Sequence, residues 1–119
     1  VVPGLNDGPD TVSAMASWVK KELGADVPVF FSRFSPNYRL SGTGATPVET
    51  LTMARNEAVR RGLRYVYVGN VPGHQGESTY CPRCGLPLVR RYGYAILENL
   101  LTPNGGRCPR DGARVPGIW

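Results

Sequence analysis

At 119 residues, with 41% hydrophobic side chains, the chain has the material for one modest domain and one core, and it excludes a large enzyme architecture. The formal net charge of +5 and a pI near 9.5 suit an acidic partner, but the arginines are scattered rather than striped, so solvated surface is the commoner cause and nucleic acid is not the favoured partner. No apolar run approaches eighteen residues and no charged leader precedes one, so neither a membrane helix nor a signal peptide is expected. Three cysteines, two of them spaced CxxC, argue for reduced thiols in a cytoplasmic protein over a disulfide framework.

In chain order, the apolar opening VVPGL reads as a first strand. GPDTVSAMASWVKKELG follows, with Val12, Met15, Val19 and Leu23 at steps of three and four. That periodicity predicts an amphipathic helix, started by Pro9 and stopped by Gly24. VPVFFS (27–32) is a second strand. After a polar loop, TPVE reads as a capping box, with Thr46 as N-cap, Pro47 in the first turn and Glu49 reaching back. Val48, Leu51, Ala54 and Ala58 give the second helix its apolar face, Gly62 ends it, and Leu63 makes the contact that follows such a cap. RYVYVG (64–69) is a third strand. The fold class is therefore α/β, a βαβαβ piece of parallel sheet with helices packed outside, because parallel neighbours need crossovers of this length. Residues 1–72 form this unit.

Beyond residue 72 the composition turns to Gly, Pro, Cys and short β-prone runs without helical period, so residues 73–119 form a second module. It holds two near-copies of one turn, YCPRCG (80–85) and RCPRDG (107–112). A tetrahedral zinc site is built from two such turns, each placing two ligands on one side of the ion. Gly85 and Gly112 occupy equivalent places after the second ligand, and the pair resembles a zinc ribbon or rubredoxin-like knuckle. Cys81, Cys84 and Cys108 supply three thiolates. The fourth ligand is Asp111, whose carboxylate is a harder donor than thiolate, or His74, and a chain with no stable metal is the third possibility. Tyr80, Tyr92, Tyr94 and Trp119 supply a small core for the module; base stacking with Arg83, Arg90 and Arg91 is the less favoured alternative.

In parallel α/β sheets ligands meet the loops that follow the strand ends. Those loops carry Asn6, Asp7, Arg33, Ser35, Asn70 and His74, which either converge on a ligand or serve as ordinary turn and surface residues.

The strings VVPGLND, FSRFSPNYRL, TPVETL, YVYVGNVPGH, TYCPRCG and the closing RCP..G..VPGIW resemble, in this order, the C-terminal part of radical SAM enzymes of the AmmeMemoRadiSam system, relatives of the pyruvate formate-lyase activating enzymes. The resemblance implies a partial, TIM-like (β/α) barrel that binds S-adenosylmethionine and a 4Fe-4S cluster and cleaves the cofactor reductively. The cluster loop CxxxCxxC is absent from this sequence, and the three cysteines do not have its spacing. The resemblance therefore implies an N-terminal half beyond these residues, with the chain inactive alone. It places Gly4, Asn6 and Asp7 near the S-adenosylmethionine site, and Arg33 and Ser35 facing the cofactor, with Ser35 where related enzymes carry a histidine. Partners are then a protein or small-molecule substrate, or other proteins of that system. The alternative from another class is a free-standing zinc-ribbon module that binds protein or nucleic acid.

Overall fold

The computed structural model describes residues 1, 4–34 and 44–117. The first helix, α1, spans Pro9–Leu23, with Pro9 in its first turn and Lys20 and Lys21 in its last, where cations meet the negative end of the helix dipole. Its buried stripe is Val12, Ala16 and Val19, with Met15 half-buried against the core. Leu23 was expected in the stripe but is 57% exposed, because the last turn outruns the surface that the helix packs on.

Strand β1 (Val29–Ser32), helix α2 (Val48–Arg60) and strand β2 (Val66–Gly69) follow. The strands pair in parallel with Val29 opposite Val66 and Ser32 opposite Gly69, which the intervening helical crossover permits. Phe31, Val66 and Val68 point to the helices and close a core with Leu51, Ala54, Ala58 and Leu63. The opposite face carries Phe30 and Tyr67, stacked at 4.9 Å. The expected strand before α1 falls largely on Val2 and Pro3, which lie outside the described residues. The Val1 nitrogen donates to the Ser32 carbonyl at 2.9 Å, but among the described residues the sheet has two strands.

The end of α2 follows the sequence. Gly62, at φ +101°, donates to the Val59 carbonyl and Leu63 donates to the Ala58 carbonyl. These are the paired bonds of a Schellman stop, which needs a residue tolerant of positive φ, and Leu63 is 1% exposed beneath it. The start does not follow. The N-cap is Pro47 and no side chain caps the helix. Thr46 is fully buried instead, and its hydroxyl accepts the Phe34 N–H at 2.8 Å and donates to the Val1 carbonyl. Its carbonyl accepts from Arg33 Nε at 2.9 Å. A buried backbone N–H has no water to fall back on, so the hydroxyl goes to the β1 exit rather than to helix N–H groups that solvent can satisfy.

The second module begins with a 3-10 turn (Gln75–Glu77) and continues as β3 (Thr79–Tyr80), β4 (Pro87–Tyr92) and β5 (Ala95–Asn99), an antiparallel sheet in that order. β2 serves both modules, because alternate residues point to opposite faces. Val66 and Val68 meet the helices, while Tyr65 is buried in a second core with Leu88, Val89, Leu101, Ala113, Val115, Cys81 and Cys108. Tyr67 leans the same way and hydrogen-bonds Thr79 at 2.9 Å. Of the aromatic core expected from Tyr80, Tyr92, Tyr94 and Trp119, the three described tyrosines do not join the buried cluster. Tyr92 and Tyr94 flank Gly93 at the hairpin turn and are exposed, Tyr80 is half-buried, and Trp119 lies outside the described residues. Aliphatic side chains of β4 and the closing segment do that work. Arg91 is absorbed by the fold rather than left for a base: its guanidinium donates to the Glu77 carbonyl and Thr79 hydroxyl and sits 5.8 Å over the Tyr67 ring. No helix among the described residues is long and apolar enough to cross a membrane.

Candidate metal centre

The two CPR turns have the same backbone geometry. In the first, the Cys81 N–H donates to the Leu86 carbonyl at 2.9 Å and the Gly85 N–H to the Cys81 carbonyl at 3.0 Å. In the second, Cys108 donates to Ala113 and Gly112 to Cys108, each at 2.8 Å. Gly85 and Gly112 have φ +79° and +76°, the left-handed region that a side chain disfavours and the reason for glycine at both places. The β3–β4 pair flanks the first turn, the Arg107–Arg114 bridge closes the second, and across the turns an Arg83 guanidinium N–H donates to the Asp111 carbonyl at 3.3 Å.

Their side chains correspond too. Cys81 Sγ accepts from the Arg83 and Cys84 N–H groups at 3.4 and 3.5 Å, two and three residues on. Cys108 is supported by the N–H groups of Arg110 and Asp111, again two and three residues on. Cys84 accepts from Leu86 and Asp111 Oδ1 from Ala113 at 2.8 Å, each two residues on. Asp111 therefore occupies the place of a fourth cysteine, with the same amide support.

The donor atoms of Cys81, Cys84, Cys108 and Asp111 all lie within 4.8 Å of one another. A tetrahedron with metal–sulfur bonds of about 2.3 Å has sulfur–sulfur edges of about 3.8 Å, and a sulfur–oxygen edge of about 3.5 Å. The Cys84 and Cys108 sulfurs are 3.7 Å apart, and Cys81 Sγ stands 3.3 and 3.6 Å from the two Asp111 oxygens. The residues fit a tetrahedral ion closed by four protein donors. Cys81 and Cys108 are buried and Cys84 and Asp111 half-buried.

The electrostatics match a cation site. The Ala113 N–H, working against burial and helped by the three thiols, pulls the Asp111 carboxyl down to about 2. At Cys84 the Leu86 N–H favours the thiolate, but burial and the neighbouring Cys81, Cys108 and Asp111 groups outweigh it and push the thiol up to about 11. Burial raises Cys108, yet the Asp111 and Arg110 amides and the other two thiols carry it below the ordinary thiol range. Four acidic groups at one point cannot all ionise without a compensating charge, and a divalent cation supplies it.

His74 is not in the cluster. Its Nδ1 accepts the Gly76 N–H at 2.8 Å, which leaves the proton on Nε2, donated to Thr52 Oγ1 at 2.9 Å. The imidazole caps the 3-10 turn and ties it to α2.

The strand-exit residues are only partly brought together. Asn70 Nδ2 donates to the Arg33 carbonyl at 3.3 Å, so the β1 and β2 exits adjoin, and Asn70 has the left-handed φ of +62° that asparagine tolerates. Asp7 accepts the Gly4 N–H at 3.0 Å and closes a local turn. Ser35 lies outside the described residues. The supporting amides of Leu86 and Ala113 escaped sequence reasoning; the signal was their common offset from the second ligand of each turn.

No family model matches the sequence, and no solved structure matches it. An uncharacterised protein of Methanocaldococcus jannaschii, MJ0808, is 53% identical over 115 residues, which cover 97% of this chain and 34% of that protein. The chain spans about a third of the length of the curated relative it matches.

Proposed function

We propose that this chain is the C-terminal part of a radical SAM enzyme of the activating-enzyme type, carrying a structural zinc knuckle behind the last part of its partial barrel. The observation that carries the metal half is the set of four protein donors within 4.8 Å. Three thiolates and a carboxylate select zinc among common divalent ions, and four protein ligands leave no open position for a reacting water, so the role is structural. The tail is thereby fixed to the back of β2 through Tyr65 and Tyr67.

The parallel β1–α2–β2 unit and the quoted family strings support the enzyme half, and a relative about three times as long has room for a CxxxCxxC loop. The bound cluster and S-adenosylmethionine would supply the radical chemistry. This chain's part would be to present to the cofactor the turn before α1, with Gly4, Asn6 and Asp7, and the β1 exit at Arg33; the resemblance adds Ser35, which lies outside the described residues. Arg33 Nε donates to the Thr46 carbonyl, which restrains the guanidinium, and the planar fork of a guanidinium suits an anion such as a carboxylate.

The test is reductive cleavage of S-adenosylmethionine under dithionite after iron and sulfide reconstitution. The full-length relative should form 5′-deoxyadenosine and this chain alone should not. Changing the arginine that aligns with Arg33 to alanine should weaken cofactor binding about tenfold or more, the cost of a charge-assisted hydrogen bond of about 1.5–3 kcal/mol. Product from the isolated chain, or none from the reconstituted full-length protein, would refute the enzyme reading.

A further inference from the structure

Cys84 and Cys108 face each other across the two knuckles at 3.7 Å, and Cys84 is the half-exposed thiol of the three. Cys81 and Cys108 each accept from the amides two and three residues on, and Cys81 lies against the Asp111 carboxylate at 3.3 Å. With aspartate in the fourth place, the centre has an odd number of thiols and one donor that cannot be oxidised. We propose that the centre is a redox-releasable one, in which a hydroperoxide joins Cys84 to Cys108 and expels the metal. The inference rests on the metal-centre reading above.

The step balances. The accessible Cys84 thiolate attacks the terminal peroxide oxygen and becomes a sulfenic acid, and the other peroxide oxygen leaves, taking a proton as water or alcohol. The Cys108 thiolate then attacks the Cys84 sulfur and displaces hydroxide, which takes a second proton. Two thiolates have lost two electrons, the O–O bond has accepted them, and the sulfur–sulfur bond has formed. Only Cys81 and Asp111 remain as donors, half of the tetrahedral set, so the divalent ion leaves. The product links the two turns through the pair of sulfurs that stand 3.7 Å apart, and the backbone hydrogen bonds that close each turn, Gly85 to Cys81 and Gly112 to Cys108, involve neither sulfur.

The experiment titrates the zinc-loaded chain with hydrogen peroxide and follows released zinc with a chromogenic chelator, thiols with a disulfide reagent, and linkage by mass spectrometry of a digest. Zinc should leave in step with the fall in thiols from three to one, the linked peptides should contain Cys84 and Cys108, and dithiothreitol with zinc should restore the centre. Linkage through Cys81, or thiols that survive peroxide sufficient to consume free cysteine, would overturn the proposal. Zinc content before oxidation separates the two readings. A chain that takes up no zinc refutes the metal centre and the release with it, while a chain that loads zinc and keeps it under peroxide refutes the switch alone.

Discussion

Stripping the metal is expected to raise amide exchange at Cys81, Gly85, Cys108 and Gly112 by about 100-fold or more, while the amides of α1 and α2 keep their protection. These four N–H groups close the individual turns at 2.8–3.0 Å, and an ion shared by the four donors would join one turn to the other. The core behind them is small: of its eight buried residues among those described, Cys81 and Cys108 are themselves candidate ligands. Structural zinc contributes about 10–16 kcal/mol of apparent binding free energy in small zinc modules, so even a quarter of that accounts for a 100-fold change in opening. The helical unit has its own ten-residue core and should hold. Exchange measured by mass spectrometry before and after dialysis against a chelator checks this. Equal protection in both states would mean that the knuckles stand without an ion.

The second large effect is expected at Asp111. Asp111→Ala should weaken zinc binding by more than the roughly 10–100-fold that loss of an outer hydrogen-bonding partner costs, because it removes a ligand. Asp111→Cys should tighten it, since thiolate is the softer donor and the backbone already has the form of a cysteine knuckle. The pH dependence separates the two donors. The Asp111 carboxyl, pulled down to about 2, is ionised throughout the neutral range and gives up no proton to zinc. A thiol in its place must lose one, so the advantage of Asp111→Cys should grow as pH rises and shrink as pH falls. Cys84, pushed up to about 11, must release its proton in both forms, and zinc affinity should therefore rise with pH in both. Competition with a chromogenic chelator at several pH values reads all of this.

The repeated turn was legible because its determinants are local. Proline, glycine and ligand spacing act within six residues, and the structure returns Cys81, Cys84, Cys108 and Asp111 as one cluster. The helix stop at Gly62 and Leu63 was legible for the same reason. Thr46 was not, because the groups that claim its hydroxyl, the Phe34 amide and the Val1 carbonyl, are 12 and 45 residues away in sequence. His74 failed as a ligand because a neighbouring turn and the Thr52 hydroxyl engage both ring nitrogens. The tail's core was misjudged because Tyr65 looked like part of a helix-covered strand, and its alternation onto the opposite face depended on what packs there.

The central claim is that one metal ion is held by three sulfurs and one carboxylate oxygen, and X-ray absorption at the zinc edge of the loaded chain tests it most directly. The expected spectrum fits three sulfurs at about 2.3 Å and one oxygen at about 2.0–2.2 Å, without the outer-shell scattering of an imidazole. A spectrum that requires a histidine, or fewer than three sulfurs, would contradict the account.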